Sequence, residues 1–418
     1  MLRKLAALAA LALLTQACGS NSATNAGNAG RRITVGSLYP LTGPQGQGGD
    51  DEARGVQLAA EWQNAHGTLH VTLKSVDTER AESVPSAMRQ FQKDGIDVVI
   101  GSHGSAISAA AAEVASETGQ VFFETGAVGL TSAEAAGGKN FFRLAPMGAN
   151  LGQAAISFVS QELAAKMGIT RPLRYAAAYV DDPYGKAVGG GAADEITRRG
   201  LQLVGQFPYS AQLKDFGPLA AQIGAAKPDV LFVAAYLDDG VALRRAMVAA
   251  HVPLVASIGT SSSYCHPAFG QALGTDAVGL FASDKPDAAD VKADALSAEG
   301  RAALEWAATT YQQRYNEPMS APALSGFSNA YAVFVHVLPG AKSAKATDVA
   351  ASALRVKLPE GTLANGGGLD LAPPGSPEPG ANRNSAGVIW EWVAPGQRAV
   401  VWPPAYATHP ITPLPLAQ

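Results

Sequence analysis

The chain has 418 residues, of which 47% are hydrophobic, and its formal charge is −4 at neutral pH. A chain of this length carries more apolar side chains than one core usually absorbs, so two domains are expected. The slight acidity and the lack of any cluster of basic residues exclude nucleic acid as a partner.

The first element of the chain is an N-terminal leader. Arg3 and Lys4 precede the unbroken apolar run Leu5–Leu14, and Cys18 follows shortly after it. This order is typical of a secretory signal peptide, here residues 1–17. The run is only half of the roughly 20 apolar residues that a membrane-spanning helix needs. We therefore predict export to the periplasm or the cell surface.

Cys18 begins a segment that resembles a bacterial lipoprotein cleavage site followed by a flexible tether. Residues 18–30 are nearly all small or polar, and they bury too little apolar surface to fold. We predict a lipid on Cys18 and membrane contact through that anchor only. Ordinary cleavage after Ala17 stays open, because Thr15 and Gln16 stand where a Leu and a small residue are usual.

From Arg31 onward, β-rich runs alternate with helical patterns, which is typical of an α/β protein with mostly parallel sheets. Most of these runs are apolar on both faces, as buried parallel strands are. The last two runs predict a closing hairpin. The predicted strands are Ile33–Leu38, Val71–Val76, Val98–Ile100, Val121–Phe123, Arg174–Val180, Leu201–Phe207, Val230–Ala235, Leu254–Ile258, Val388–Val393 and Ala399–Trp402.

Three segments between the strands carry an apolar stripe at helical spacing, which predicts helices packed against a sheet. The alternation pauses near Phe142–Pro146 and near Ser283–Pro286, and the Gly- and Pro-rich stretch Leu363–Asn384 indicates a long surface loop. The stripes are Val84, Ala87, Met88 and Phe91; Leu243, Ala246, Met247 and Ala250; and Leu304, Ala307, Ala308 and Tyr311.

Motifs for nucleotide, hydrolytic and metal chemistry are missing from the sequence. Gly43–Gly49 lacks the order of a dinucleotide fingerprint, and Cys265-His266 has no further Cys or His nearby. Asp181-Asp182 and Asp238-Asp239 follow strands and predict turns or helix N-caps, with a ligand role left open for Asp238. We therefore predict no enzymatic activity, no cofactor and no metal.

A series of strand-end segments carries the strongest signal in the sequence. The segments are Ile33–Pro44, Val98–Ser105, Asp182–Gly185, Asp215-Phe216, Lys227–Asp229 and Val400–Pro403. Their order resembles the periplasmic binding proteins of the leucine/isoleucine/valine type over nearly the whole chain after the leader. The resemblance implies the type I fold, in which two Rossmann-like lobes are joined by a three-stranded hinge and enclose a small organic solute.

The resemblance also implies the domain limits and the partners. The N-lobe would consist of residues 31–146 plus 283–338, and the C-lobe of residues 147–282 plus 339–418. The chain would be a monomer that serves the permease and ATPase subunits of an ABC importer. An extracellular ligand sensor with the same fold remains an alternative, and so does an enzyme on a similar scaffold.

Several ligand contacts follow from the resemblance. Ser105 matches a hydroxyl that, with the adjoining helix N-terminus, holds a ligand carboxylate. Gly126 and its neighbour Ala127 offer backbone groups at the next strand end. Tyr184 and Tyr236 match two aromatic residues of the C-lobe that close over the ligand.

Three contacts of the family are missing from this sequence. Val128 stands where a hydroxyl helps to bind an α-amino group, and Ser261 stands where a Glu carboxylate pairs with it. An unpaired ammonium in a closed cleft is unfavourable. We therefore predict a solute other than an unmodified branched-chain amino acid, unless Glu124 or Asp238 supplies the charge. Gly48 replaces an aromatic residue beside the ligand, which predicts a bulkier or longer solute.

Overall fold

The computed structural model describes residues 30–417, apart from 44, 130–139, 261–262 and 377. The predicted signal peptide, the lipidation residue Cys18 and the tether before Gly30 lie outside the described residues, and so does Ser261. Within the described part of the chain, no helix combines the length and the apolar character that crossing a membrane requires.

The N-lobe is built on a parallel five-stranded sheet of order β2-β1-β3-β4-β5. Alternate residues of its strands enter different cores, as the two-residue repeat of a strand requires. Val98 and Ile100 face one core, whereas Val99 faces the other. The strands are β1 (Arg32–Tyr39), β2 (His70–Asp77), β3 (Val98–Gly101), β4 (Val121–Glu124) and β5 (Phe141–Arg143).

Helices cover both faces of this sheet. One face carries α1 (Gly46–His66), α9 (Ala298–Tyr315) and α10 (Ala321–Tyr331), and the other carries α2 (Val84–Lys93) and α3 (Ser105–Thr118). The α1 and α10 backbones approach so closely that only glycine fits between them. A Cβ built on Gly55 would lie 2.0 Å from the Ala323 carbonyl oxygen, and one on Gly326 would lie 2.2 Å from that of Glu52.

The C-lobe is built on a seven-stranded sheet of order β14-β13-β10-β9-β8-β6-β7. Its pairings are parallel, except that β13 runs antiparallel to both of its neighbours. One hydrophobic core joins this sheet to its helices. The strands are β6 (Arg174–Val180), β7 (Gln202–Tyr209), β8 (Val230–Ala234), β9 (Ala256–Thr260), β10 (Phe281–Asp284), β13 (Val388–Ala394) and β14 (Gln397–Trp402).

The helices of the C-lobe follow its strands in the alternation that the sequence predicts. A Pro stands at the first position of α5, and the Asp182 side chain before it accepts a hydrogen bond from Gly185 N at 2.8 Å. The predicted capping role of this residue is thus confirmed. The helices are α4 (Gly148–Phe158, continued by a π-helical turn Val159–Leu163 and a final turn Ala164–Lys166), α5 (Pro183–Arg198), α6 (Gly217–Ala226), α7 (Leu237–Ala249) and α8 (Pro267–Leu273).

The predicted α/β class and all ten predicted strands are confirmed, and β5 and β10 are additional strands of the two large sheets. Both lie at the predicted pauses, Phe142–Pro146 and Ser283–Pro286. They have three and four residues, which is too short for a repeat to show in the sequence. The chain crosses between the lobes just after each of these two strands.

The N-lobe extends beyond the predicted boundary at Leu338. Helix α11 (Ala346–Arg355) and the small hairpin of β11 (Lys357–Leu358) and β12 (Leu369–Asp370) follow that residue. Val349, Ala353 and Leu371 belong to the core of the N-lobe. Residues 339–371 are therefore N-lobe and not C-lobe, and the third crossing lies after them. The boundary was not predictable from the sequence, because an apolar helix face indicates that a helix is buried but not which of the two sheets it packs against.

The Gly- and Pro-rich stretch Leu363–Asn384 is irregular, as predicted, but much of it is buried rather than on the surface. Its buried backbone groups need partners. The Asn382 amide supplies some of them: its Nδ2 donates to Leu144 O and Gly368 O, and its Oδ1 accepts from Asp370 N. Asn382 thereby ties the third crossing to the first.

Candidate functional site

A cavity of about 220 Å³ lies between the two lobes. Its walls come from the loops and helix starts that follow strands β3, β4, β6, β8, β9 and β10, so it lies at the carboxyl ends of both sheets, where open α/β sheets bind ligands. Of the predicted residues, Gly48, Ser105, Gly126, Val128, Tyr184 and Tyr236 line this cavity.

Ser105 stands at the start of α3 on the N-lobe side of the cavity. Its Oγ accepts a hydrogen bond from Gly129 N at 2.9 Å, and its hydroxyl hydrogen can still be donated to a ligand. The first N–H groups of a helix have no partners within the helix and favour negative charge. This corner therefore offers hydrogen-bond donors to an anion.

Glu124 ends β4 and is almost completely buried, but it serves the backbone and not the cavity. Its carboxylate accepts from Ser102 N at 2.9 Å, Gly126 N at 2.8 Å and Ala127 N at 2.7 Å, and also from the Ser102 hydroxyl at 2.9 Å. Burial, followed by the nearby Glu52 carboxylate, raises the pKa of Glu124. Glu124 and Ala127 shape the strand-end loop and do not line the cavity.

His103 occupies the space that Gly48 was expected to leave open. A Cβ built on Gly48 would lie 2.4 Å from His103 Nε2, so the imidazole ring fills that position. His103 Nδ1 lies 2.8 Å from a carboxylate oxygen of the fully buried Glu52, which fixes the ring. Both Gly48 and His103 line the cavity. The expectation that Gly48 removes a wall is therefore wrong, because an imidazole replaces it.

Tyr184 and Tyr236 form the aromatic wall on the C-lobe side. Their ring centroids are 5.3 Å apart, and the two ring planes are inclined at 37°. The Tyr236 hydroxyl donates to Asp182 Oδ2 at 2.7 Å, and the Tyr184 hydroxyl lies 3.1 Å from Thr260 Oγ1. Both hydroxyls are thus engaged by the protein, which leaves the ring surfaces for contact with the apolar part of a solute.

Lys285 is a cavity residue that the sequence did not reveal. It follows β10 at the second crossing between the lobes, and its side chain is 5% exposed. Its Nζ donates to Gly126 O at 2.9 Å. No ion pair joins Lys285 to a carboxylate in the part of the chain that the structure describes. The sequence signal was slight: Lys285 directly follows Asp284 within the predicted pause Ser283–Pro286.

Trp390 and His266 add two hydrogen-bond donors to the same cavity. Trp390 lies on β13 under the Arg398 guanidinium, and its indole N–H has no hydrogen-bond acceptor among the described residues. His266 Nδ1 accepts from Ala268 N at 3.1 Å, so the proton of the neutral ring is on Nε2. Burial and the charge of Arg398 lower the pKa of His266.

Three carboxylates line the cavity, and protein groups engage each of them. Asp51 accepts from the hydroxyls of Ser320 at 2.7 Å and Tyr311 at 3.2 Å. Asp287 pairs with Arg398, and Asp284 accepts from the Cys265 thiol at 3.1 Å. Burial, followed by the charge of Asp284, raises the pKa of Cys265 well above its usual range, which makes a thiolate nucleophile unfavourable there.

Comparison with known proteins defines the family of this fold. A family model described as periplasmic binding protein matches residues 32–368, which is most of the chain. The chain belongs to this family. A Leu/Ile/Val-binding protein homologue of Brucella abortus is 26% identical over 345 residues, which cover 81% of this chain and 83% of the relative. These proteins are extracytoplasmic, and the family is one of solute-binding proteins.

Two solved structures of periplasmic binding proteins share the architecture. A leucine-binding protein of Thermotoga maritima superposes with a TM-score of 0.73 at 16% identity and covers 88% of this chain and 97% of its own. An ABC transporter solute-binding protein of R. palustris in complex with benzoate has a TM-score of 0.69 at 17% identity, with 93% and 99% covered. The predicted type I periplasmic binding fold is confirmed.

Of the remaining residues predicted from the periplasmic binding proteins, one lines the cavity and one does not. Val128 lines the cavity and brings no hydroxyl to it, as the sequence indicates. Asp238 is exposed in the first turn of α7 and is not among the lining residues, and its neighbour Asp239 accepts from the Tyr209 hydroxyl. Neither Glu124 nor Asp238 thus stands in the cavity as a counter-charge for an ammonium.

Proposed function

We propose that this periplasmic binding protein captures a small organic solute between its lobes and presents it to the permease and ATPase subunits of an ABC importer. The observation that carries the proposal is the cavity to which both lobes contribute, with Ser105 on one side and Tyr184 and Tyr236 on the other. A solute contacts both walls only when the lobes are closed, so binding favours the closed form.

The solute in this proposal is not an unmodified branched-chain amino acid. Val128 offers no hydroxyl to an amino group, Glu124 is engaged by backbone N–H groups, and Asp238 is exposed. The relative from R. palustris holds benzoate, which has no amino group, so the fold accepts such solutes.

We further propose that the chain is exported and held at the membrane by a lipid on Cys18, and that it acts as a monomer without enzymatic activity or cofactor. The leader pattern of residues 1–17 and the small polar tether support export. Mass spectrometry of the membrane fraction tests the anchor: a diacylglycerol on Cys18 is expected. Recovery of unmodified Cys18 in the soluble fraction would contradict it.

Scattering and thermal unfolding test solute capture. The purified protein is screened against amino acids, amides, aromatic acids and short aliphatic acids. A true solute raises the unfolding midpoint with concentration, because it binds only the folded state, and reduces the radius of gyration. Saturating binding without contraction would rule out lobe closure. Stabilisation by micromolar leucine, isoleucine or valine would contradict the restriction on the solute.

A further inference from the structure

Lys285 is a charged residue of the cavity whose hydrogen bonding is incomplete among the described residues. An ammonium group carries three hydrogens that can be donated, and among the described residues it uses one of them, in the bond to Gly126 O at 2.9 Å. With the side chain 5% exposed, water does not solvate the remaining two freely. A buried cation with one neutral acceptor and no counter-ion is unfavourable unless an anion joins it.

The bond to Gly126 O also excludes one class of solute. Gly126 is the strand-end residue whose backbone faces the cavity, and its carbonyl oxygen is already occupied by an ammonium of the protein. A solute ammonium at this place would meet Lys285 as a like charge in a site shielded from water. The protein thus supplies the positive charge that an amino acid would bring.

The other groups around the cavity agree with an anion as the partner. The Ser105 hydroxyl, the Trp390 indole N–H and the His266 Nε2–H are all donors. Protein groups engage all three acidic residues of the lining: two hydroxyls donate to Asp51, the Cys265 thiol donates to Asp284, and Arg398 pairs with Asp287. Apolar surface for the body of the solute comes from Val128 and the two tyrosine rings.

We infer that the solute is an organic carboxylate without an α-amino group and that Lys285 is its counter-ion in the closed cleft. This inference rests on the proposed function, since it names the solute class of the same cavity. Lys285 would contact the solute directly, and its position at the second crossing places the counter-ion where the lobes meet.

Matched solutes test the inference by calorimetry. Each set contains a carboxylate, its amide and its amino acid: 4-methylpentanoate, 4-methylpentanamide and leucine; and 3-phenylpropanoate, 3-phenylpropanamide and phenylalanine. At least one carboxylate is expected to bind about 100-fold more tightly than its amide and its amino acid, the scale of a buried charge pair. The inference is overturned if an amino acid binds more tightly than its carboxylate, or if neither carboxylate binds more tightly than its amide.

Variants test the role of Lys285 itself. Lys285→Gln is expected to reduce the affinity for the bound carboxylate about 100-fold, whereas Lys285→Arg keeps the charge and part of the affinity. Lys292→Gln is the matched control, because Lys292 is exposed and does not line the cavity. Circular dichroism verifies folding of each variant. Unchanged affinity in a folded Lys285→Gln protein overturns the inference.

The two proposals fail in different ways. If an amide or an amino acid binds and reduces the radius of gyration, solute capture between the lobes stands and the carboxylate inference falls. If a carboxylate binds through Lys285 without any contraction, the carboxylate site stands and the capture mechanism falls.

Discussion

Two buried charges on either side of Gly126 are held in opposite ways. Glu124 accepts hydrogen bonds from three backbone N–H groups and a hydroxyl, so its carboxylate is saturated by the loop that it shapes. Within the described part of the chain, the Lys285 ammonium makes one hydrogen bond, to the carbonyl oxygen of the same glycine. The two residues therefore have different roles. Glu124, whose hydrogen bonds are complete, organises the loop, whereas Lys285 still has donors for the solute.

The largest effect is expected from removal of the saturated charge. Glu124→Ala leaves three N–H groups without an acceptor and should lower the free energy of unfolding by about 3–5 kcal/mol. Glu124→Gln keeps one acceptor oxygen and should lower it by only about 1 kcal/mol. Urea unfolding measures both variants. Glu113→Ala, an exposed change on α3, is the control, and a loss as large there would break the comparison.

The imidazole beside the cavity gives the next effect. A methyl group in Gly48→Ala would meet His103 Nε2, while Glu52 holds the ring from its other side. We expect a loss of about 1–3 kcal/mol in unfolding free energy and weaker solute binding. Gly190→Ala is the matched control, since a Cβ on this glycine of α5 would have no neighbour within 4 Å. The control should stabilise the protein by up to about 1 kcal/mol. If Gly48→Ala and Gly190→Ala changed the unfolding free energy equally, the His103 ring would have to move aside for the new methyl group.

Glu391 is an intermediate case, since one group among the described residues donates a hydrogen bond to it. Its Oε2 accepts from Thr412 N at 3.0 Å, and its Oε1 has no partner among the described residues. Burial raises its pKa from 4.5 to about 7. Below the lower value the group is protonated in both the folded and unfolded states, and above the higher value it is ionised in both. The stability therefore falls as the pH rises between these values.

Glu391→Gln should remove that pH dependence. At pH 8 we expect the variant to be more stable by about 1–2 kcal/mol, and at pH 4 we expect no difference. Urea unfolding at both pH values provides the measurement. A variant that is equally destabilised at both values would show that the hydrogen bond from Thr412 N outweighs the cost of burying the carboxylate.

The smallest effect on stability is expected at Lys285, and it is the most direct test of the comparison with Glu124. Lys285→Met removes an unsaturated charge, and buried charges replaced by apolar groups often leave stability unchanged. We expect the unfolding free energy of the solute-free protein to stay within about 1 kcal/mol of its original value. Thermal unfolding without solute tests this. A loss comparable to that of Glu124→Ala would make Lys285 a structural residue instead.

Strand patterns predicted the architecture well, because strands buried on both faces have long apolar runs. Strands β5 and β10 were not predictable in this way, because they are too short to show a repeat. The lobe to which α11 belongs was not predictable either, because its apolar face does not identify the sheet that it packs against. Ser105, Tyr184 and Tyr236 line the cavity where the family resemblance assigns ligand contacts. Their individual roles stay predictions. Lys285 escaped prediction because its significance arises from a contact with Gly126, which is 159 positions away in the sequence.

The pairing of α1 with α10 has a mechanical consequence. With Gly55 pressed against the Ala323 carbonyl and Gly326 against that of Glu52, the two backbones interlock, and neither helix can slide or rotate without the other. The wall of the cleft that α1 and α10 form is therefore a rigid unit, here called the plate. Adaptation to a new solute would have to alter side chains on the loops and crossings around the plate, because changing the plate itself would require both helices to shift together.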